Sequence, residues 1–280
     1  MAIQYRLCTL YSGSEGNATY IETPHARILI DAGKCARALI ASLKSIGVDI
    51  DSIDAIFITH EHSDHIASLE VLAKKHPIPV HMLYKSALKY QNTQPPALCA
   101  CLVMYQKPED MHTTVGNIHV QAFPTPHDSR ASVGYRLTLT QGEESLCIGY
   151  ATDIGYVSPA VRAGLMGCEA VVLECNHDEE MLKYGPYPYD LKVRILSTKG
   201  HLSNRDCADF ACELYEAGTR YLLLAHLSEQ NNVPDIAYDE VSCALTGQCV
   251  HIAVASPIDV TMLVGEMNQP IPKVPMEVSV

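Results

Sequence analysis

The chain has 280 residues, 48% of them hydrophobic and 19% charged, a balance that excludes a disordered or fibrous protein and lets one domain bury roughly three quarters of its unfolded surface. A formal net charge of −12 argues against an open basic surface for polyanions, although divalent cations bound in a cleft would reverse the field locally. Eleven cysteines, an odd number in a chain too long to need staples, read as reduced thiols of a cytoplasmic protein, and no run approaches the ~18 apolar residues of a membrane span.

Gln4 to Leu10, Ala18 to Glu22 and Ala26 to Asp31 read as strands. The loop between the first two, Ser12-Gly13-Ser14-Glu15-Gly16-Asn17, suits either an anion cradle with Ser12, Ser14 and Asn17 as donors or an ordinary turn. Lys34 to Ser45 has a helical apolar face that Gly47 ends. Ile53 to Ile58 reads as a buried strand, and Thr59-His60-Glu61-His62-Ser63-Asp64-His65 follows it directly. Four metal-ligand side chains in an H-x-H-x-D-H pattern at a sheet edge can close around a cation. Imidazole with carboxylate suits zinc, manganese or iron better than calcium or magnesium, and ligands so close can be shared by two ions about 3.5 to 4 Å apart. Surface histidines of a polar loop have no reason to fall at this spacing. Asp64 to Lys75 then reads as one helix whose dipole favours the Asp64 carboxylate in its first turn, and Ile78 to Met82 as a strand.

Tyr84 to Gln106 is weakly patterned around Pro95-Pro96, with a helix and a short strand expected. Cys99-Ala100-Cys101 lacks a second pair at zinc-finger spacing, and His76, His81, His112 and His119 read as structural. Asn117 to Phe123 is a strand leading to Pro124-Thr125-Pro126-His127, and Val133 to Thr140 with Ser145 to Tyr150 is a hairpin running into Ala151-Thr152-Asp153. Ser158 caps a helix to Met166 with Pro159 at its first position. Ala170 to Cys175 is a buried strand before Asn176-His177-Asp178, whose histidine either supports a site from behind or caps the next helix. From Lys183 to Arg205 the charge reverses: Lys183, Lys192, Arg194, Lys199 and Arg205 face one carboxylate, Asp190, with Tyr184, Tyr187 and Tyr189 among them. Cations beside stacking rings suit a single-stranded nucleic acid end; a solvated loop held by Pro186 and Pro188 is the alternative. Ser203 caps a helix to about Gly218, and Tyr221 to Ala225 is a strand ending in His226. Asp235 to Thr246 adds a helix, Val250 to Val254 and Asp259 to Val264 add strands, and the tail from Asn268 is expected to be irregular.

The H-x-H-x-D-H run is the signature of the metallo-β-lactamase superfamily, and the chain resembles its YycJ branch, also called WalJ or VicX. Ser12 to Asn17, Tyr184-Gly185-Pro186-Tyr187-Pro188, Gly200-His201-Leu202-Ser203-Asn204 and Leu224-Ala225-His226-Leu227-Ser228 carry the likeness along most of the chain. Asn176-His177-Asp178 also resembles the family, with Cys175 where a serine usually stands. The resemblance implies an α/β (α+β) fold, the four-layer αββα sandwich, as a single domain over residues 1–280. It implies two divalent metal ions, one held by His60, His62 and His127, the other by Asp64, His65 and His226, with Asp153 bridging. Two cations bring the pKa of a shared water towards neutrality, and Asp64 would orient that water or take its proton. The related ribonuclease Z has a histidine and a small hydroxyl residue at the start of the helix before its final ligand. By that resemblance His201 protonates the leaving oxygen. The substrate-binding residues expected are Ser12, Ser14 and Asn17 of the first loop, Tyr187, Lys192 and Arg194 of the basic strip, and Ser203 and Asn204 beside His201. The expected activity is that of a phosphodiesterase, in this branch a DNA exonuclease, with no membrane partner. The same scaffold also carries small-molecule hydrolases acting on thioesters or cyclic phosphates, which the acidic surface favours, and non-hydrolytic redox or regulatory metal proteins.

Overall fold

Two seven-stranded mixed sheets face each other across an apolar layer, with helices on both outer sides, in the computed structural model, which describes residues 3–266. The first sheet contains β1 (Gln4–Tyr11), β2 (Ala18–Thr23), β3 (Ala26–Ile30), β4 (Ala55–Phe57), β5 (Val80–Leu83) and β6 (Leu102–Tyr105). The second contains β7 (His112–Val115), β8 (Ile118–Pro124), β9 (Val133–Gln141), β10 (Glu144–Ala151), β11 (Ala170–Glu174), β12 (Tyr221–Ala225) and β13 (His251–Val254). The last strand, β14 (Thr261–Glu266), returns to pair with β1, giving the order β14-β1-β2-β3-β4-β5-β6 opposite β13-β12-β11-β10-β9-β8-β7.

Strand alternation builds three layers of core at once. Ile28 and Ile30 of β3, Val172 of β11 and Leu223 of β12 point between the sheets, whereas their chain neighbours point outwards, as the two-residue period of a strand requires. On the first sheet Leu29 and Ile56 meet Leu39 and Leu43 of α1 (Ala36–Ser45). On the second, Leu173 and Leu224 meet helices that come after β10. Those helices are α6 (Pro159–Leu165), α9 (Asn204–Glu216) and α10 (Pro234–Ala244). Strands buried on both faces read as continuous apolar runs, which is why β3, β11 and β12 carry almost no polar residue. This is the αββα sandwich expected from the resemblance. No helix among the described residues is long and apolar enough to cross a membrane.

Three local expectations change. The helix expected from Asp64 to Lys75 is two, α2 (Ser63–Ile66) and α3 (Leu69–Lys75). The Asp64 and His65 carbonyls, which a continuous helix would offer to Ser68 and Leu69, accept instead from the Asn17 and Ala32 N–H groups at 2.8 and 2.7 Å. This diversion turns Asp64 and His65 away from the axis of α3 and against the first loop. The strand expected at Asp259 begins at Thr261 because Ser256 Oγ accepts from the Ile258 and Asp259 N–H groups and holds them in a turn. The strip from Lys183 contains the end of α7 (Glu179–Tyr184) and α8 (Tyr189–Ile195). The shorter helices α4 (Tyr84–Ala87) and α5 (Pro96–Cys101) precede β6, and the tail from Asn268 lies outside the described residues.

Candidate metal centre

The seven expected ligands converge from loops that follow β4, β8, β10 and β12, at strand carboxyl ends, where open α/β sheets gather their ligands. Donor atoms of His60, His62 and His127 lie within 4.8 Å of one another, and so do those of Asp64, His65 and His226. Asp153 stands between these trios: its Oδ1 is 3.7 Å from both His127 Nε2 and His226 Nδ1, and its Oδ2 is 3.4 Å from His65 Nε2. Asp153 and His226 adopt left-handed backbone conformations, with φ of 56° and 58°. Non-glycine residues hold that region only where the surroundings over-determine it, and such positions cluster at functional sites.

Two buried carboxylates orient the imidazoles from behind. Asp31 Oδ2 accepts from His65 Nδ1 at 2.8 Å, while its Oδ1 accepts from the Thr59 N–H, also at 2.8 Å. Glu174 Oε1 accepts from His226 Nδ1 at 2.7 Å and from His201 Nδ1 at 2.8 Å, and its Oε2 accepts from the Ile154 and Leu202 N–H groups at 2.7 and 3.1 Å. Sequence reasoning passed over both. Each is a lone carboxylate at the end of an apolar strand, the same signal that marked Asp153, and with no ligand motif beside it.

The outward-facing atoms are left without a hydrogen bond, although Asp153 Oδ2 keeps its 3.4 Å contact to His65 Nε2. His60 Nε2, His226 Nε2 and Asp153 Oδ2 are buried and meet no hydrogen-bond partner. One such atom costs about 1–3 kcal/mol; three at one centre, two of them on imidazoles whose Nδ1 is already held by Thr59 and Glu174, form a donor set that suits divalent cations. The charge agrees with this. Burial would raise Glu174 and Asp64, but for Glu174 the adjacent His201 and His226, and for Asp64 the adjacent His65, outweigh it and hold both carboxyls below their usual range. Burial would lower His226, but Asp153 and Glu174 push it up to about 9. His60, which lacks a carboxylate prop, is driven well below its usual value by burial and by neighbouring imidazoles. Protonated imidazoles balance the enclosed carboxylates here, and a cation held by the same groups would take over that charge.

Above the centre opens a cavity of about 260 Å³, with Asp64, His127, Asp153 and His226 at its base. Of the expected substrate-binding residues, Ser14, Tyr187 and Arg194 line it, as does His201. Arg194 Nε pairs with Asp128 Oδ2 at 2.5 Å across the rim. Ser12 and Asn17 lie behind the ligands: Ser12 Oγ accepts from the His226 N–H at 2.9 Å, and Asn17 Nδ2 is 3.4 Å from Asp64 Oδ2. The structure places the other three outside the cavity. Lys192 Nζ donates to the Lys183 and Gly185 carbonyls at 2.8 Å each. Ser203 Oγ caps α9 by accepting from the Asp206 N–H, and Asn204 is buried against Asn232. His177 does not cap α7, since Asp178 Oδ1 accepts from the Met181 N–H at 2.7 Å; its buried imidazole is lowered to about 4 by desolvation. Asn176 and Ser228, quoted in the family motifs without a role of their own, also face the cavity.

A family model described as a β-lactamase superfamily domain matches residues 26–227. The chain is 36% identical over 238 residues to the exodeoxyribonuclease YycJ of Bacillus anthracis, covering 84% of this chain and 87% of that protein. It is 34% identical over 236 residues to the exodeoxyribonuclease WalJ of Streptococcus pneumoniae, covering 84% and 86%. Among solved structures, the metallo-β-lactamase fold protein YhfI from Bacillus subtilis aligns with a TM-score of 0.69 at 18% identity, over 93% of this chain and 99% of that one. The short form of human tRNase Z aligns at 0.62 and 17%, over 91% and 98%. At these identities the two structural likenesses concern the fold alone.

Proposed function

Because the chain belongs to the metallo-β-lactamase superfamily and, within it, to the YycJ/WalJ family, we propose that it is a metal-dependent exodeoxyribonuclease that hydrolyses terminal phosphodiester bonds of DNA. The observation that carries this reading is the set of three buried, unpartnered donor atoms on His60, His226 and Asp153 beneath an open cavity. His60, His62 and His127 would hold one divalent cation and Asp64, His65 and His226 a second, with Asp153, between the two trios, available to either. Zinc, manganese or iron bound there supplies Lewis acidity and a water that ionises near neutral pH.

The chain's own groups divide the remaining work. Asp64, partly open to the cavity with 22% of its side chain exposed, orients the attacking water and takes its proton. His201 keeps Nδ1–H on Glu174; as an imidazolium it also carries Nε2–H, whose proton passes to the leaving oxygen and leaves the Nδ1–H tautomer behind. Replacing His201 with alanine is expected to slow turnover while metal content stays intact. Loss of metal would make His201 a ligand, a role its place in a donor group with Asp153, Glu174 and His226 also allows.

End-labelled single- and double-stranded DNA and RNA, offered to metal-reconstituted protein beside a thioester and a simple phosphodiester, test the reading. Stepwise DNA products that vanish in Asp64→Ala are expected. The net charge of −12 favours a second reading, a small-molecule hydrolase; turnover of the thioester with no cleavage of polynucleotide would establish that one.

A further inference from the structure

A pair of thiols on the second sheet takes no part in the metal centre. Cys147 stands on β10 between Leu146 and Ile148, which point between the sheets, so its side chain faces outwards, towards the layer that holds α6. The Glu169 N–H donates to the Cys147 carbonyl at 2.9 Å, which sets Cys168 beside it. Gly149, next on the same face, leaves room for the second sulfur: a Cβ there would stand 3.3 Å from Cys168 Sγ. Cys168 is fully buried, whereas Cys147 is half-buried and open to small reagents. Arg136 and Thr138 of β9 lie directly across from Gly149 and Cys147. Arg136 Nη1 is 3.3 Å from Cys168 Sγ, and Thr138 Oγ1 is 3.4 Å from Cys147 Sγ.

Charge separates the roles of the two sulfurs. Arg136 donates to the Gly164 and Met166 carbonyls at 3.0 and 2.9 Å, and among the described residues no carboxylate pairs with it. A thiolate at Cys147 completes that charge. The hydrogen bond from Cys168 acts most strongly, and with those from Thr138 and Arg136 it outweighs burial and brings the Cys147 thiol down to about 5. Cys168, as the donor, is pushed up and stays a thiol. The guanidinium also repels any metal cation that two thiolates would otherwise hold. We propose that Cys147 and Cys168 are a peroxide-reactive dithiol, in which Cys147 is the attacking sulfur and Cys168 the resolving one. The Cys147 thiolate attacks one oxygen of hydrogen peroxide. An S–O bond forms, the O–O bond breaks and hydroxide leaves, so the sulfur is oxidised and the peroxide reduced. That hydroxide takes the Cys168 thiol proton and becomes water. The Cys168 thiolate then attacks the sulfenic sulfur, an S–S bond replaces the S–O bond, and a second hydroxide leaves to solvent.

The test treats zinc-loaded protein, whose metal takes no part in redox chemistry, with hydrogen peroxide, blocks the remaining thiols and maps cross-linked peptides by mass spectrometry. A Cys147–Cys168 link that dithiothreitol reverses is expected in the wild type. Cys168→Ala is expected to stop at the sulfenic acid, which dimedone traps on Cys147. Iodoacetamide labelling of the untreated wild type against pH supplies a readout that needs no variant. At Cys147 it is expected to have levelled off by about pH 6, whereas a free cysteine of pKa ~8.5 still gains about tenfold per pH unit there. A Cys147 profile that follows free cysteine, a link to a different cysteine, or peroxide treatment that leaves both sulfurs reduced overturns the proposal. None of these outcomes touches the nuclease reading, which DNA cleavage alone decides.

Discussion

The two sheets share one topology and contribute to the metal centre in different ways. Each runs antiparallel up to a pivot strand, β3 in the first and β10 in the second, and parallel beyond it. Both pivots lead into an aspartate in the left-handed region, Asp31 with φ of 62° and Asp153 with φ of 56°. The equivalence ends at the side chains. Asp31 faces backwards onto His65, whereas Asp153 reaches His65, His127 and His226. The first half supplies four ligand candidates from one loop, His60 to His65, and the second supplies three from three separate loops. A contiguous motif needs one prop. A dispersed set needs a group that ties its loops together, and Glu174 does so, with one oxygen on His201 and His226 and the other on the Ile154 and Leu202 N–H groups.

The largest expected effect comes from removing the group on which the two halves meet. Asp153→Ala is expected to lose metal from both trios and to fall to background hydrolysis; metal content by mass spectrometry and circular dichroism on the same sample separate this from unfolding. Retention of a full metal complement would mean that the halves bind independently. Next come the props. Losing a group that holds a metal ligand from behind typically costs 10–100-fold in metal affinity or activity, and Glu174→Gln is expected near the upper end, about 100-fold, because it frees two imidazoles. Asp31→Asn, which frees one while Thr59 keeps its contact, is expected near ~10-fold. Competition against a chelator gives both affinities, and a larger loss from Asp31→Asn would break the asymmetry.

That asymmetry also explains what could be read in advance. The run from His60 to His65 is legible because all its ligands share one loop, and β3, β4, β11 and β12 are legible because strands buried on both faces are almost wholly apolar. Asp31 and Glu174 were not, since a carboxylate that ends a strand looks the same whether it props an imidazole or enters solvent. Only the pairing of β11 with β10 and β12 brings Glu174 beneath His226. The break between α2 and α3 was hidden for a related reason. Neither Ala67 nor Ser68 discourages a helix; the interruption comes from Asn17 and Ala32, some thirty-five to fifty residues earlier in the chain.

The smallest expected effect concerns two cations that composition could not tell apart. Lys192 and Arg194 are two residues apart in a basic strip, and both were expected to hold phosphate. Lys192 instead spends its ammonium group on two backbone carbonyls, whereas Arg194 lines the cavity with 56% of its side chain exposed and, among the described residues, only Asp128 as an ionic partner. A phosphate displacing Asp128 from Arg194 would release a counterion; one approaching Lys192 would first have to break the tie between α7 and α8. Binding of a single strand, measured against salt concentration, is therefore expected to lose about one unit of log–log slope in Arg194→Gln and to keep its slope in Lys192→Met. Lys192→Met is expected to weaken binding by a factor that salt does not change, because it loosens the wall rather than removing a phosphate contact. A slope that falls equally in both variants would return Lys192 to the phosphate-binding set and leave the joint between α7 and α8 without its tie.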